Sequence, residues 1–377
     1  MMFAPPRIGA FDRDAAAAAQ VHQRELTKPP GSLGRLEQMA IWYAGVRGRF
    51  PVAVPQRAEL FVFAADHGVA VEGVSAYPPE VTMAMVANFR AGGAAVNVLA
   101  RQCGVGVTVV DVGVSGELVA SPQPQGARTE VVAAGLAGGV GIAGRPDVFF
   151  VSARVRAGTR NMRRESAMSG PEALAAIDVG LKMAAEAAAR GVDVLVGGDM
   201  GIGNTTAAAA LLCAFSGDDP SEIVGRGTGI DDDGLARKAS VIREALAREA
   251  LDPGDALGVL AAVGGLEIAA LVGLMLGGAA ARVPVIVDGF IACSAALVAT
   301  RLAPASRPFL LLSHLSAERG ARRLCDLLGE PAPLLNFEMR LGEGTGAVLS
   351  VPILRAAVAT QAQMATFSSA GVPNAQV

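Results

Sequence analysis

The run Asp193-Val194-Leu195-Val196-Gly197-Gly198-Asp199-Met200-Gly201-Ile202-Gly203-Asn204-Thr205-Thr206 decides the fold of this chain. Val194 to Val196 is apolar, too short for a helix and rich in β-branched residues, so it reads as a buried parallel strand. A loop carrying Gly201 and Gly203 follows, and Ala207 to Phe215 is a helix-forming run with Asn204 or Thr205 as the expected N-cap. Strand, glycine-rich loop and helix start make an anion site, because free N–H groups and the positive end of the helix dipole converge on the loop. Asp199 stands in the same loop. A carboxylate repels a neighbouring phosphate unless the two address different parts of one ligand. The stretch therefore points to a phosphorylated substrate whose other end carries or develops positive charge. The plain alternative is a β-α turn with a capping aspartate.

Outward from this stretch the strand-loop-helix unit repeats. Candidate strands are Leu60 to Ala64, Val105 to Val110, Val148 to Val151, Val194 to Val196, Val283 to Val287 and Phe309 to Leu312. Helical stretches between them are Pro79 to Arg101, Pro171 to Arg190, Asp233 to Glu249 and Leu257 to Ala281. Such alternation predicts an α/β fold with a parallel, doubly wound sheet. Asp12 to Glu25, Gly34 to Arg47 and Ala347 to Ala365 read as helices bracketing it, and the tail after Phe367 as frayed. The expected division is a small helical domain from 1–57 plus 347–377 and an α/β domain over 58–346.

Composition narrows the class. A net charge of -3 gives no electrostatic footprint for nucleic acid. The four cysteines, Cys103, Cys213, Cys293 and Cys325, are scattered without a C-x-x-C pair or a histidine at ligand spacing, so neither a disulfide framework nor a zinc site is suggested. Mean hydropathy is high, +0.43, and Ala256 to Ala281 is long enough to span a bilayer. Glu267 near its middle, the pairs Gly264-Gly265 and Gly277-Gly278, and the absence of an aromatic belt favour two Ala/Gly-rich helices packed tightly in a soluble protein. Met1 to Ala10 has prolines and no apolar core, so no signal peptide is expected. The reading is a cytoplasmic protein with no membrane partner.

The strand ends carry the chemistry. Asp66-His67-Gly68, Asp111-Val112-Gly113, Gly198-Asp199, Asp288-Gly289 and Ser313-His314 close five of the six strands. Ligands in open α/β sheets bind outside the carboxyl ends of the strands, so this edge is the expected site. Two loops, Gly225-Arg226-Gly227-Thr228-Gly229 and Gly342-Glu343-Gly344-Thr345-Gly346, pin a charged residue between glycines, which let backbone approach a ligand closely. Lys238 falls near the start of the helix at Asp233, on the side facing the loops, where it is either solvated or a phosphate partner.

With these motifs in order, the chain resembles the nicotinate-nucleotide–dimethylbenzimidazole phosphoribosyltransferase family nearly end to end. The motifs are Lys28-Pro-Pro-Gly-Ser-Leu-Gly34, Asp66-His-Gly-Val69, Gly197 to Thr206, Gly225 to Asp232, Asp288-Gly289, Ser313-His314 and Gly342 to Ala347. The resemblance implies a Rossmann-like domain with a small helical domain, a cytoplasmic homodimer, and no metal or cofactor. It implies transfer of phosphoribose from nicotinate mononucleotide to 5,6-dimethylbenzimidazole or a related base. By motif position Glu343 would be the general base and Asp199 a second carboxylate that stabilises positive charge on the ribose. Gly201, Gly203, Asn204, Thr205, Lys238, Ser316 and Gly342 would surround the phosphoribosyl group. Ser75, Tyr77, Ala84, Met85, Arg340 and Leu341 would flank the base. Relatives often carry Glu at Asp199, Gln at Ala84 and Arg at Leu315. Two alternatives stand beside this reading: a metal-dependent phosphohydrolase using Asp66, His67, Asp111, Asp199 and Asp288, and a non-catalytic nucleotide-binding protein.

Overall fold

The computed structural model describes residues 3–116, 148–248, 251–330 and 332–373. The first half contains α1 (Arg13–Glu25), α2 (Arg35–Arg47), β1 (Ala58–Ala65), α3 (Val81–Arg90), α4 (Ala95–Cys103), β2 (Val105–Gly113), β3 (Val148–Ser152) and α5 (Gly170–Ala189). Then follow β4 (Val194–Met200), α6 (Asn204–Ser216), α7 (Pro220–Ile223), α8 (Asp232–Arg248), α9 (Ala256–Val263) and α10 (Leu266–Ala280). The chain closes with β5 (Val285–Val287), α11 (Phe290–Leu302), β6 (Leu310–Leu312), α12 (Ala321–Leu327), α13 (Thr345–Gln363) and α14 (Phe367–Ala370).

The strands form one sheet in the order β3-β2-β1-β4-β5-β6, and every pairing is parallel. All six strand positions match the sequence reading. Strand order reverses between β1 and β4, and such a switch point opens a crevice at the carboxyl ends of the strands. Alternate residues of β1 serve opposite faces, as strand geometry requires. Phe61 and Phe63 join the core beneath α5, α6 and α9 to α11, whereas Leu60, Val62 and Ala64 join the core beneath α2, α4 and α13. Both faces are covered, which is why the strands read as continuous apolar runs.

Three local expectations are corrected. The helix expected over Pro79 to Arg101 is broken into α3 and α4, because Gly92 takes a φ of +73° that ends the first segment. The N-cap of α6 is Gly203 (φ +98°) rather than Asn204 or Thr205; Asn204 directs its amide to Asp199 instead. The region after Phe367 is not wholly frayed, for Thr366 caps the short α14 with a capping box. Ala256 to Ala281 is two helices, as the sequence suggested, and α10 packs chiefly on α5. α10 is buried on nearly all sides, so its apolarity is that of a core helix. Among the described residues no helix is long and apolar enough to cross a membrane. The last residue of the helix expected to end at Glu249 lies outside the described residues, as do 117–147 within the expected α/β domain.

Candidate active site

A cavity of about 550 Å³ opens at the switch point. It is lined from β4 and its loop by Asp199, Met200, Gly201 and Ile202, from α6 by Asn204 and Thr205, and from the β5 and β6 ends by Asp288, Gly289, His314, Ser316 and Glu318. Tyr77, Val81 and Met85 come from the α3 side, while Arg340, Leu341, Gly342 and Glu343 precede α13.

Of the residues the sequence put forward, Tyr77, Met85, Asp199, Gly201, Asn204, Thr205, Ser316, Arg340, Leu341, Gly342 and Glu343 line this cavity. Four do not. Gly203 is the α6 cap behind the lining, and Ala84 is exposed on α3. Ser75 supports Thr228, which does line the cavity, through a 3.1 Å hydroxyl contact. Lys238 is 1% exposed. Its ammonium donates to Thr205 Oγ1 (2.8 Å) and the Gly225 carbonyl (3.3 Å), so its charge lies one hydroxyl beneath the cavity. Burial lowers its pKa to about 8 against the opposing pull of Glu318.

Glu343 is held in an unusual backbone conformation. Its φ is +64°, and it stands between Gly342 (φ +80°) and Gly344 (φ +90°). A non-glycine residue in the left-handed region costs of order 1–3 kcal/mol and persists only where its surroundings enforce it. Asp288 supplies the enforcement. It accepts from the Gly344 and Ala347 N–H groups at 3.2 and 3.0 Å, capping α13 from a strand end more than fifty residues away in the chain. A carboxylate at a helix N-terminus is also favoured by the helix dipole. Glu343 itself is 4% exposed. Burial, with the Asp288 charge, raises its pKa to about 7 despite the Val96 N–H bonded to it.

Asp199 is buried, and its pKa is pushed well above the usual carboxylate range. The cause is first burial, then the charges of Asp288, Glu267 and Glu343, opposed by the Asn204 amide at 3.0 Å. Beneath the Gly201–Gly203 loop, His67 Nε2 meets Glu267 Oε1 at 2.6 Å, both side chains fully buried. Burial opposes protonation of His67, but the Glu267 charge and hydrogen bond, with Asp66, raise its pKa.

The row of strand-end aspartates divides. Asp66 accepts from Ser115 N–H (2.7 Å). Asp111 accepts from Val114 N–H (2.8 Å) and pairs with Arg154. Both are occupied in holding loops, so only Asp199 and Asp288 face the cavity. That dispersal leaves the metal-dependent alternative without an observation in its favour. Sequence reasoning named Asp288 and His314 as strand ends, gave Asp288 a role only in the metal-dependent alternative and His314 none, and passed over Glu318. A helix cap supplied from a distant loop leaves no local signal.

Gly198 in β4 lies directly against this loop. A Cβ there would stand 2.3 Å from the Glu343 carbonyl oxygen and 2.7 Å from its carbon, both backbone atoms. Gly198→Ala is therefore expected to destabilise the protein by about 1–3 kcal/mol and to displace Glu343. Denaturant unfolding measures the first effect and titration of Glu343 the second. A variant matching wild type in both would show that the loop yields freely.

The comparisons with known proteins agree in kind. A phosphoribosyltransferase family model matches residues 8–372. The nicotinate-nucleotide–dimethylbenzimidazole phosphoribosyltransferase of Desulforudis audaxviator is 47% identical over 370 residues, covering 98% of this chain and 97% of that protein. The enzyme of the same name from Salinispora tropica is 48% identical over 365 residues, covering 97% of each. A crystal structure of the Thermus thermophilus enzyme superposes with a TM-score of 0.84 at 43% identity, covering 97% of this chain and all of that one.

Proposed function

The chain belongs to the nicotinate-nucleotide–dimethylbenzimidazole phosphoribosyltransferase family, and we propose that it transfers phosphoribose from nicotinate mononucleotide to 5,6-dimethylbenzimidazole or a related base. The products are nicotinate and an α-ribotide for the nucleotide loop of cobalamin. The observation that carries the residue assignments is Glu343: a buried carboxyl at the cavity wall with a pKa of about 7. A general base works best when its pKa lies near the operating pH. The donor's leaving group is a pyridinium, which departs neutral and needs no acid. One base suffices, taking the benzimidazole N–H proton as the other ring nitrogen attacks C1′. A single displacement inverts the anomeric centre, as in inverting glycosidases.

The phosphate is assigned to the Gly201–Thr205 turn, where the N–H groups opening α6 and the Lys238 charge lie together. The ribose cation of the transition state is assigned to Asp199. An adjacent positive charge lowers a carboxyl pKa. The pyridinium of a bound donor thus favours the ionised form of Asp199. Tyr77, Met85 and Leu341 supply the apolar wall for the base, and Arg340 ties that wall down by donating to the Gly227 carbonyl at 2.7 Å. A homodimer is part of the proposal, since Tyr77 and Leu341 remain 55% and 57% exposed beside the cavity, an apolar rim for a second copy to cover. So are a cytoplasmic location, in keeping with four free thiols, and a small helical domain from 1–57 and 347–377. Incubation with nicotinate mononucleotide and a panel of benzimidazoles, purines and phenols, with products identified by mass, tests the reaction. Absence of any ribotide would refute it.

A pH profile tests the assignments. Glu343 must be ionised, so activity falls below about pH 7. Lys238 must be protonated to attract the phosphate, so activity falls above about pH 8. The expected kcat/KM profile for the donor is a bell with a narrow crest between those values. Bound phosphate raises the Lys238 pKa, so the alkaline limb should move outward in kcat. A flat profile from pH 6 to 9 sinks both assignments.

A further inference from the structure

We propose that Glu318 is a specificity-determining residue that reads the ribose hydroxyls of the donor. The inference rests on the phosphoribosyl-transfer reading above.

Glu318 lines the cavity yet is only 7% exposed. Its position is fixed by backbone hydrogen bonds on both sides: Ala317 N–H to the Met339 carbonyl (2.9 Å) and Ala321 N–H to the Glu318 carbonyl (3.0 Å). Its own N–H donates to Ser316 Oγ at 3.3 Å. The carboxylate is tucked against the bare Cα of Gly225, where any Cβ would lie 1.9 Å from Oε2. That oxygen has no hydrogen-bond partner among the described residues. Lys238 feels Glu318 through space while donating to Thr205 and Gly225. A buried carboxylate oxygen without a donor is costly, and because Glu318 belongs to the cavity lining, a donor on a bound ligand would meet it.

The donor nucleotide offers few choices. A carboxylate only accepts hydrogen bonds. The 5′-phosphate and the nicotinate carboxylate are acceptors and anions, so both are repelled. The pyridinium nitrogen is bonded to C1′ and bears no proton. Only the 2′- and 3′-hydroxyls of the ribose remain. The proton on the acceptor base is already committed to Glu343. Glu318 also lies on the Gly225–Lys238 side of the cavity, next to the proposed phosphate turn, which suits the sugar and not the acceptor. The Lys238 charge beside it offsets the repulsion between Glu318 and the phosphate.

The consequence is a strong preference for ribose over deoxyribose. A site built to hydrogen-bond a hydroxyl rejects the analogue lacking it, because its buried acceptor is then left unpaired. The test compares nicotinate mononucleotide with its 2′-deoxy and 3′-deoxy forms as donors for wild type, Glu318→Gln and Glu318→Ala. Wild type should lose about 10²-fold or more in kcat/KM with at least one deoxy donor. Glu318→Ala should lose a similar factor with the ribose donor but change by less than about threefold with that deoxy donor, since the two deletions remove one contact and do not add. Glu318→Gln keeps one acceptor oxygen and should fall between, and it carries the comparison if the alanine variant does not fold. Equal loss on every donor, or a wild type indifferent to the hydroxyls, overturns the role given to Glu318. No transfer from the ribose donor by wild type overturns the phosphoribosyl reading itself.

Discussion

Glu343→Gln is expected to fold as wild type does and to lose about 10²–10⁴-fold in transfer, the range typical of a general base. The amide preserves the shape of the side chain in a wall where Asp288 fixes the loop through the Gly344 and Ala347 N–H groups, so geometry is not what changes. Proton acceptance is. The stability signature separates chemistry from folding. A carboxyl whose folded pKa is raised to about 7 favours the folded state while protonated, and that contribution is lost as pH rises from its unfolded value through 7. The glutamine variant does not titrate, so at pH 8 it should melt no lower than wild type. Inactivity with an intact melting transition is the expected pair of results. Wild-type-like turnover in the variant would falsify the assignment of Glu343 as base.

The sheet was legible because parallel strands buried on both faces carry continuous apolar runs, as Leu60 to Ala65 of β1 and Val194 to Val196 of β4 do. A short β-branched run between glycines and charged loops has few other fates. α11 was not legible as a separate helix. It is buried along most of its length, so it lacks the amphipathic period by which a surface helix declares itself. The Asp199, Asn204 and Glu343 stretches were visible as residue types in glycine loops. Their meeting was not, since it depends on how β4 and α13 close against each other. The same limit hid Glu318, whose significance lies in an oxygen left without a partner, and the His67–Glu267 pair, two hundred residues apart. Ala84 is the opposite case: one residue from Met85 on α3, it is exposed and outside the cavity lining, because neighbouring residues on a helix do not share a face.

The second large effect concerns the fold and follows from two glycines facing each other's backbone. A Cβ at Gly180 of α5 would lie 1.8 Å from the Ala270 carbonyl oxygen, and one at Gly273 of α10 would lie 1.9 Å from the Ile177 carbonyl oxygen. On an isolated helix Gly→Ala gains about 1 kcal/mol in propensity. Here the obstructing atoms are main chain and cannot rotate aside, so the helices must separate. Overpacking of this kind costs about 1–3 kcal/mol even where side chains can adjust. Gly180→Ala and Gly273→Ala should therefore each destabilise by at least that much in urea unfolding. The double variant should cost less than the sum, because the separation forced by the first methyl makes room for the second. α10 also packs Leu271 over Gly197 of β4, where a Cβ would stand 2.7 Å from the leucine methyl. A shift of α10 thus reaches the strand that carries Asp199, and both single variants should lose activity along with stability. Singles as stable as wild type would mean that propensity outweighs packing and that the helices are not held together by this close approach.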